Sequence, residues 1–220
     1  MIFSEKLLQI SGKINDSDNL CLTPSITYPY THRLITIGNI RKGELTPSIV
    51  RLIELDAISH NPIVIFIRTP GGDFEEAMLF RETLFSVKSP IITLAYDSCM
   101  SAGMFIYAAG STRHCFKHTK FMAHSIRMCD VDMTSEQMKK EAKTLDRENR
   151  YMLSIIAQAS NRKVSWWMKK LIDAKEKKED AEGDFYFDAE YAKKIGFVNG
   201  EIWGPENQFS LKSYLYPAKK

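Results

Sequence analysis

Cysteine is scarce in this chain, with 4 among 220 residues, and Cys21, Cys99, Cys115 and Cys129 form no Cys-x-x-Cys pair. That density excludes a disulfide framework and suits a reducing compartment. Long apolar runs are also missing. The longest, such as residues 104–109, fall far short of the ~20 residues that cross a bilayer as a helix. No excess of one charge exists either: 30 basic residues stand against 27 acidic ones, a net +3 that gives no argument for a nucleic-acid partner. The ATP-binding pattern G-x-x-x-x-G-K-S/T is absent, so the chain is not expected to hydrolyse ATP itself. Its start, MIFSEKLLQ, carries Glu5 and no sustained apolar core after a basic opening, so it does not read as a secretory signal and a cytoplasmic protein is expected. His114, Cys115, His118, His124 and Cys129 lie close together in sequence, but their spacings do not match paired zinc-ligand blocks, and no metal or other cofactor is expected.

What is present is ordinary for a globular domain: 44% apolar and 26% charged residues, on a chain long enough for one sizeable core. Residues 1–32 mix short apolar pieces with polar turns and read as an irregular arm. From Arg33 the pattern becomes regular. "RLITIGNI" reads as a strand, residues 47–59 as a helix opened by Pro47, and "PIVIFIRT" as a strand covered on both faces. "PGG" ends that strand, residues 74–87 read as a helix, "IITLAY" as another buried strand, and "RHCF" and "KFMAHS" as two more. Strands alternating with helices at this spacing predict an α/β domain of repeated βαβ units with a mainly parallel sheet. Sites in such sheets lie beyond the carboxyl ends of the strands, where both "PGG" and "DSCMS" fall.

A long helix is predicted over 134–159, opened by a Thr134/Gln137 capping box. Its apolar seam of Met138, Ala142, Leu145, Met152, Ile156 and Ala159 is narrow and is interrupted by Asn149. So thin a seam among so many charges predicts an arm that projects toward another subunit; the other reading is a solvated helix on the same domain. A helix near 163–173 follows, then a charged insertion over 173–182, and a return through "DFYFDAEYAKKIGFVNGEIW" with a helix at 189–194 stopped by Gly196. Residues 205–220 read as a tail.

The stretch "DSCMSAGMFIYAAG" places Ser101 ahead of an apolar run. Cap statistics alone make Ser101 a helix cap. The alternative is a nucleophile shown at a strand-to-helix turn, where the next N–H groups lack partners and can hold an oxyanion. Cys99 offers itself as a rival thiol, but it precedes the turn and is expected to be buried.

The segments "RTPGGDFEEAMLFRETL", "DSCMSAGMFIYAAGSTRHCF", "KFMAHS" and "DFYFDAEYAKKIGFVNG", in this order, resemble the proteolytic subunit of the ATP-dependent Clp protease, ClpP. The resemblance implies the Clp/crotonase fold over residues 33–204. It implies Ser101 as nucleophile, His124 as general base and Asp184 as the carboxylate that orients the histidine, chosen over Asp173, Asp180 and Asp188 by register back from Gly196. It further implies backbone N–H donors from Gly72 and Ala102 for the oxyanion. The chemistry requires these types, because a serine hydroxyl is a poor nucleophile until a neutral imidazole takes its proton, and the imidazole needs a carboxylate to fix its tautomer. By the same resemblance the chain is expected to form a homo-oligomer, a heptameric ring or two stacked rings with the 134–159 helix as the arm between them. Polypeptides are its implied substrates and an ATP-dependent AAA+ unfoldase its implied partner.

Four features depart from that family's pattern. Ala102 stands where methionine is usual, "SIRMCDVDM" lacks the usual proline and glycine after the histidine, Phe185 replaces an arginine, and the 173–182 insertion lengthens the approach to Asp184. Two other readings of the same fold remain open at this point: a Ser/Lys dyad with Lys139, Lys140 or Lys143 as base, and a non-catalytic ring subunit.

Overall fold

The structure is a computed structural model, and it describes residues 33–127, 132–176 and 183–207. The arm over 1–32, most of the charged insertion and most of the tail lie outside the described residues. Thirteen elements follow in order: β1 (Leu34–Ile37), α1 (Thr46–Ile58), β2 (Ile63–Thr69), α2 (Phe74–Ser86), β3 (Ile91–Met100), α3 (Ala102–Ala108), β4 (Thr112–Phe116), β5 (Lys120–Ala123), α4 (Ser135–Gln158), α5 (Val164–Glu176), β6 (Phe185–Asp188), α6 (Ala189–Lys194) and β7 (Ile202–Trp203). The predicted α/β alternation is present throughout. Some boundaries move: the strand expected over "RLITIGNI" is only Leu34–Ile37, the one expected over "IITLAY" runs on to Met100, and the helix expected to stop near residue 173 runs on to Glu176, so the charged insertion begins inside it. No helix among the described residues is long and apolar enough to cross a membrane.

Seven strands form one sheet in the order β1-β2-β3-β4-β7, with β5 and β6 branching from β3. All pairings among these strands are parallel except β5 with β6. Parallel pairing buries both faces, which is why β2 reads as the unbroken run Ile63, Val64, Ile65, Phe66, Ile67.

The branch has a local cause. Ile67 sits opposite Ala95, but Thr69 sits opposite Cys99, so β3 carries two residues more than β2 over that step. Asp97, within this bulge, has φ +60°, a left-handed conformation that Asp tolerates better than most residues. Its carboxylate Oδ2 accepts from Arg68 Nε at 2.7 Å. Before the bulge, Ile92 to Ala95 pair with β4; after it, Ser98 to Met100 pair with β5. One strand thus serves two neighbours in succession, and the second neighbour leads directly into His124.

The core packs α1, α2, α3 and the last turns of α4 against the sheet. Arg33, at the start of the domain, donates to the carbonyls of Leu55, Ser59, Asn61 and Pro62, and thereby ties β1 to the end of α1. Arg113 does the same elsewhere: its guanidinium reaches the carbonyls of Gly110, Ala159, Gly196 and Phe197, which close α3, α4 and α6. Phe121 of β5 stacks on Phe187 of β6 with ring centroids 5.4 Å apart, and Tyr107, Trp167 and Phe197 surround them. This aromatic cluster packs against the antiparallel pair of strands that carries His124 and Asp184 at the same end.

The long helix answers both readings of its sequence in part. The capping box of Thr134 and Gln137 is formed. Met152 and Ile156 of the seam are buried, together with Leu153 and Ile155, where α4 meets α3 and α5. Met138 is 51% exposed and Ala142 is exposed, so the first half of the helix stands away from its own domain.

Candidate active site

Ser101 ends β3 and begins α3, and it is not a helix cap in the usual sense. Its side chain makes no capping hydrogen bond, and its backbone adopts φ +50°, ψ −122°. Strain of this kind, of order 1–3 kcal/mol in a non-glycine residue, persists only where surrounding structure imposes it. Three contacts impose it here. The Ser101 N–H donates to the Met122 carbonyl of β5 at 2.8 Å. Gly71 presses from below, since a Cβ there would come within 2.6 Å of the serine Cβ. Gly103 seats α3 on β2, where a Cβ would overlap Thr69 Cγ2 at 2.2 Å.

His124 follows β5 directly. Its Nε2 lies 2.6 Å from Ser101 Oγ, hydrogen-bond distance for a proton moving between them. Cys99, two residues before Ser101, is fully buried, and burial pushes its thiol well above the ordinary range, so it is no rival nucleophile. Lys139, Lys140 and Lys143 lie on the exposed first half of α4, while the serine hydroxyl is bonded to the histidine.

Asp184 precedes β6. The antiparallel register runs Met122 to Tyr186 and Ala123 to Phe185, and one further step sets His124 against Asp184. The carboxylate is buried, with the side chain 8% exposed, and its Oδ1 accepts a hydrogen bond from Arg127 Nη2 in an ion pair. The competing aspartates are accounted for differently. Asp188 caps α6 by accepting the Tyr191 N–H at 2.8 Å, Asp173 lies within α5, and Asp180 falls outside the described residues.

The "PGG" turn is held by Thr69, whose Oγ1 accepts the Gly71 N–H at 3.0 Å. Gly72 has φ +142° and bridges to Ile40, whose carbonyl oxygen a Cβ at Gly72 would strike at 1.9 Å. That bridge uses the Gly71 carbonyl and the Asp73 N–H, and leaves the Gly72 N–H outside it. Ala102 is the first residue of α3, and an N–H in that position has no acceptor within its helix. Asp73 and Glu76 anchor the turn from behind: Asp73 caps α2, and the buried Glu76 carboxylate accepts the Leu45 N–H at 2.8 Å.

Several of the residues first considered for metal binding have other work. His114 is buried and its Nδ1 accepts the Glu201 N–H at 2.8 Å. Burial pushes the Cys115 thiol up to about 12. Cys129 lies outside the described residues. Among the described residues no group of three or more His, Cys, Asp or Glu side chains gathers in a way that could hold a metal ion.

Two residues joined to this site gave no functional signal in the sequence. Arg127 holds Asp184, and Asn149 of α4 accepts the Ile126 N–H on Oδ1 at 2.7 Å. Asn149 was visible only as the break in an apolar seam, and Arg127 as one charge among thirty.

A parallel sheet that forks at one strand, with a serine and a histidine at the fork and a long projecting helix beyond, defines a fold of the Clp/crotonase type. The sequence profile of the Clp protease family matches residues 24–203, and the chain belongs to that family. It is similar to the ATP-dependent Clp protease proteolytic subunit 3 of Parasynechococcus marenigrum, 27% identical over 177 residues that cover 79% of this chain and 84% of the relative. The proteolytic subunit of Lactococcus lactis subsp. cremoris is 24% identical over 76% of this chain and 80% of its own length. Among solved structures, a ClpP1 mutant from Listeria monocytogenes superposes with a TM-score of 0.67 at 24% identity, covering 79% of this chain and 93% of that one. That likeness supports the fold. At such identities the chain is a divergent member of its family.

Proposed function

We propose that this protein is a serine endopeptidase that cleaves unfolded polypeptides, with Ser101 as nucleophile, His124 as general base, Asp184 as the orienting carboxylate, and the Gly72 and Ala102 N–H groups as oxyanion donors. The observation that carries the reading is the 2.6 Å contact between His124 Nε2 and the hydroxyl of a serine held at positive φ. As the hydroxyl attacks a peptide carbonyl, its proton passes to Nε2, and the carbonyl oxygen becomes an oxyanion facing the two N–H groups. The imidazolium then gives that proton to the leaving amine. Water, deprotonated by the same nitrogen, releases the acyl group and restores Ser101. Each oxyanion donor is worth roughly 3 kcal/mol of transition-state stabilisation.

The curated relatives are named as proteolytic subunits of an ATP-dependent protease. In this reading the chain is likewise one subunit of a cytoplasmic homo-oligomeric chamber, built as a heptameric ring or two stacked rings, with the exposed first half of α4 meeting another copy. It uses no cofactor of its own. ATP is consumed by an AAA+ unfoldase that delivers the polypeptide.

A fluorophosphonate probe tests the reading, with native mass spectrometry reporting labelling and stoichiometry together. Wild-type protein takes up one probe per subunit and hydrolyses short fluorogenic peptides, and Ser101→Ala does neither. His124→Ala also loses turnover, whereas alanine at Lys139, Lys140 or Lys143 leaves it intact. Folded wild-type protein that neither labels nor cleaves overturns the proposal.

A further inference from the structure

We propose that Arg127 is a positioning residue for the reaction, holding the Asp184 carboxylate in line with His124; this rests on the Ser101, His124 and Asp184 reading above.

Asp184 is 8% exposed, and a buried carboxylate is costly unless a charge or donors meet it. Arg127 meets it, from a side chain that is itself 39% exposed. The pairing uses Oδ1 of Asp184. A carboxylate has acceptor capacity on both oxygens, so the second oxygen remains for the imidazole of His124, which the β5/β6 register sets opposite. A fixed guanidinium removes the rotational freedom that would let the carboxylate turn away.

The guanidinium is in turn well placed to hold. Residues 124–127 have no regular secondary structure, yet the main chain one residue before Arg127 is fastened to α4 by the 2.7 Å bond from the Ile126 N–H to Asn149 Oδ1. The four-residue segment therefore has its first side chain on Ser101, its third N–H on α4 and its last side chain on Asp184. Three elements far apart in sequence are locked together around the imidazole. Arg127 touches no reacting atom in this scheme and acts through Asp184.

The test compares wild type, Arg127→Ala, Arg127→Lys, Asp184→Asn and the Arg127→Ala/Asp184→Asn double variant, each checked for folding by circular dichroism. Rates of Ser101 labelling by a fluorophosphonate and kcat and KM on a fluorogenic peptide are the readouts. Arg127→Ala is expected to lower kcat and the labelling rate about 10- to 100-fold, the loss typical of removing an outer partner of a functional side chain, with KM within about twofold. Arg127→Lys recovers part of the loss, and millimolar guanidinium chloride recovers part of it in Arg127→Ala alone. In the Asp184→Asn background, Arg127→Ala costs nothing more. Wild-type rates or faster in folded Arg127→Ala overturn the proposal, as do a loss that neither lysine nor guanidinium recovers, or additive losses in the double variant. Should Arg127→Ala not fold, Arg127→Lys decides: partial kcat with unchanged KM supports the role, and unchanged kcat overturns it. Failure of the peptidase reading itself shows separately, as wild-type protein that takes up no probe.

Discussion

Gly71 lies so close beneath Ser101 that a methyl group on it would come within 2.6 Å of the serine Cβ and 3.1 Å of its Oγ. The glycine of one strand end and the serine of the next thus share a single van der Waals gap. Its φ of +104° is itself outside the range open to a side chain. Gly71→Ala is therefore expected to push the hydroxyl off His124 and to lower the fluorophosphonate labelling rate at least 100-fold, about the effect of misplacing a reacting group by 1 Å. Labelling at the wild-type rate would contradict the geometry.

Arg113 predicts a stability loss remote from the chemistry. It satisfies four carbonyls that end three helices and carries no ion pair among the described residues. Arg113→Met keeps the apolar stem and removes every donor. Leaving buried carbonyls unsatisfied should cost about 2–4 kcal/mol, read as a lower midpoint in urea. Peptidase activity of the folded fraction should persist.

His114 predicts a pH dependence. Its Nδ1 accepts a backbone N–H from Glu201, which only the deprotonated nitrogen can do. Burial, opposed by the Glu201 charge and aided by Lys193, lowers its affinity for a proton. In the unfolded chain the same ring titrates near ~6.5. The unfolded state then binds a proton that the folded state refuses, so this contribution is full above about pH 6.5 and is lost as pH falls below it. Thermal midpoints measured from pH 7.5 to 5 should decline more steeply in wild type than in His114→Phe.

Asn149 predicts a trade between packing and function. Asn149→Leu continues the apolar seam of α4 and removes the acceptor of the Ile126 N–H. Activity should fall about tenfold, in keeping with loss of an outer positioning contact. The urea midpoint should change little, because the position is only half-buried.

Most of the architecture was legible because it rests on periodicity. Every helix and strand expected between residues 33 and 204 is present, and the 189–194 helix agrees to the residue. Ser101 and His124 were singled out by the resemblance of "DSCMSAGMFIYAAG" and "KFMAHS" to Clp protease segments, because local pattern alone left Ser101 a helix cap. What stayed hidden depends on tertiary contact. The strand expected over "IITLAY" runs on through the bulge at Asp97 to Met100, and neither that extension nor the fork it makes had a sign in the sequence. Local preference at Ser101 pointed to a cap, whereas packing by Gly71, Met122 and Gly103 forces positive φ instead. The seam of α4 reads as a projecting arm or as a solvated helix, and the split between an exposed first half and buried last turns depends on where α3 and α5 reach it, which no periodicity shows. The ion pair of Arg127 with Asp184 spans 57 positions, and no local pattern announces it.

The fork at Asp97 also sorts the rest of the chain into two tenants of one strand. β4 and β7 hang from Ile92 to Ala95, while β5, which leads into His124, and its partner β6 hang from Ser98 to Met100. The two groups share no ladder, so β7 can be lost, lengthened or rebuilt as an attachment point without moving the imidazole. In this scaffold the outer edge at β7 can diverge while Ser101 and His124 keep their places at the fork.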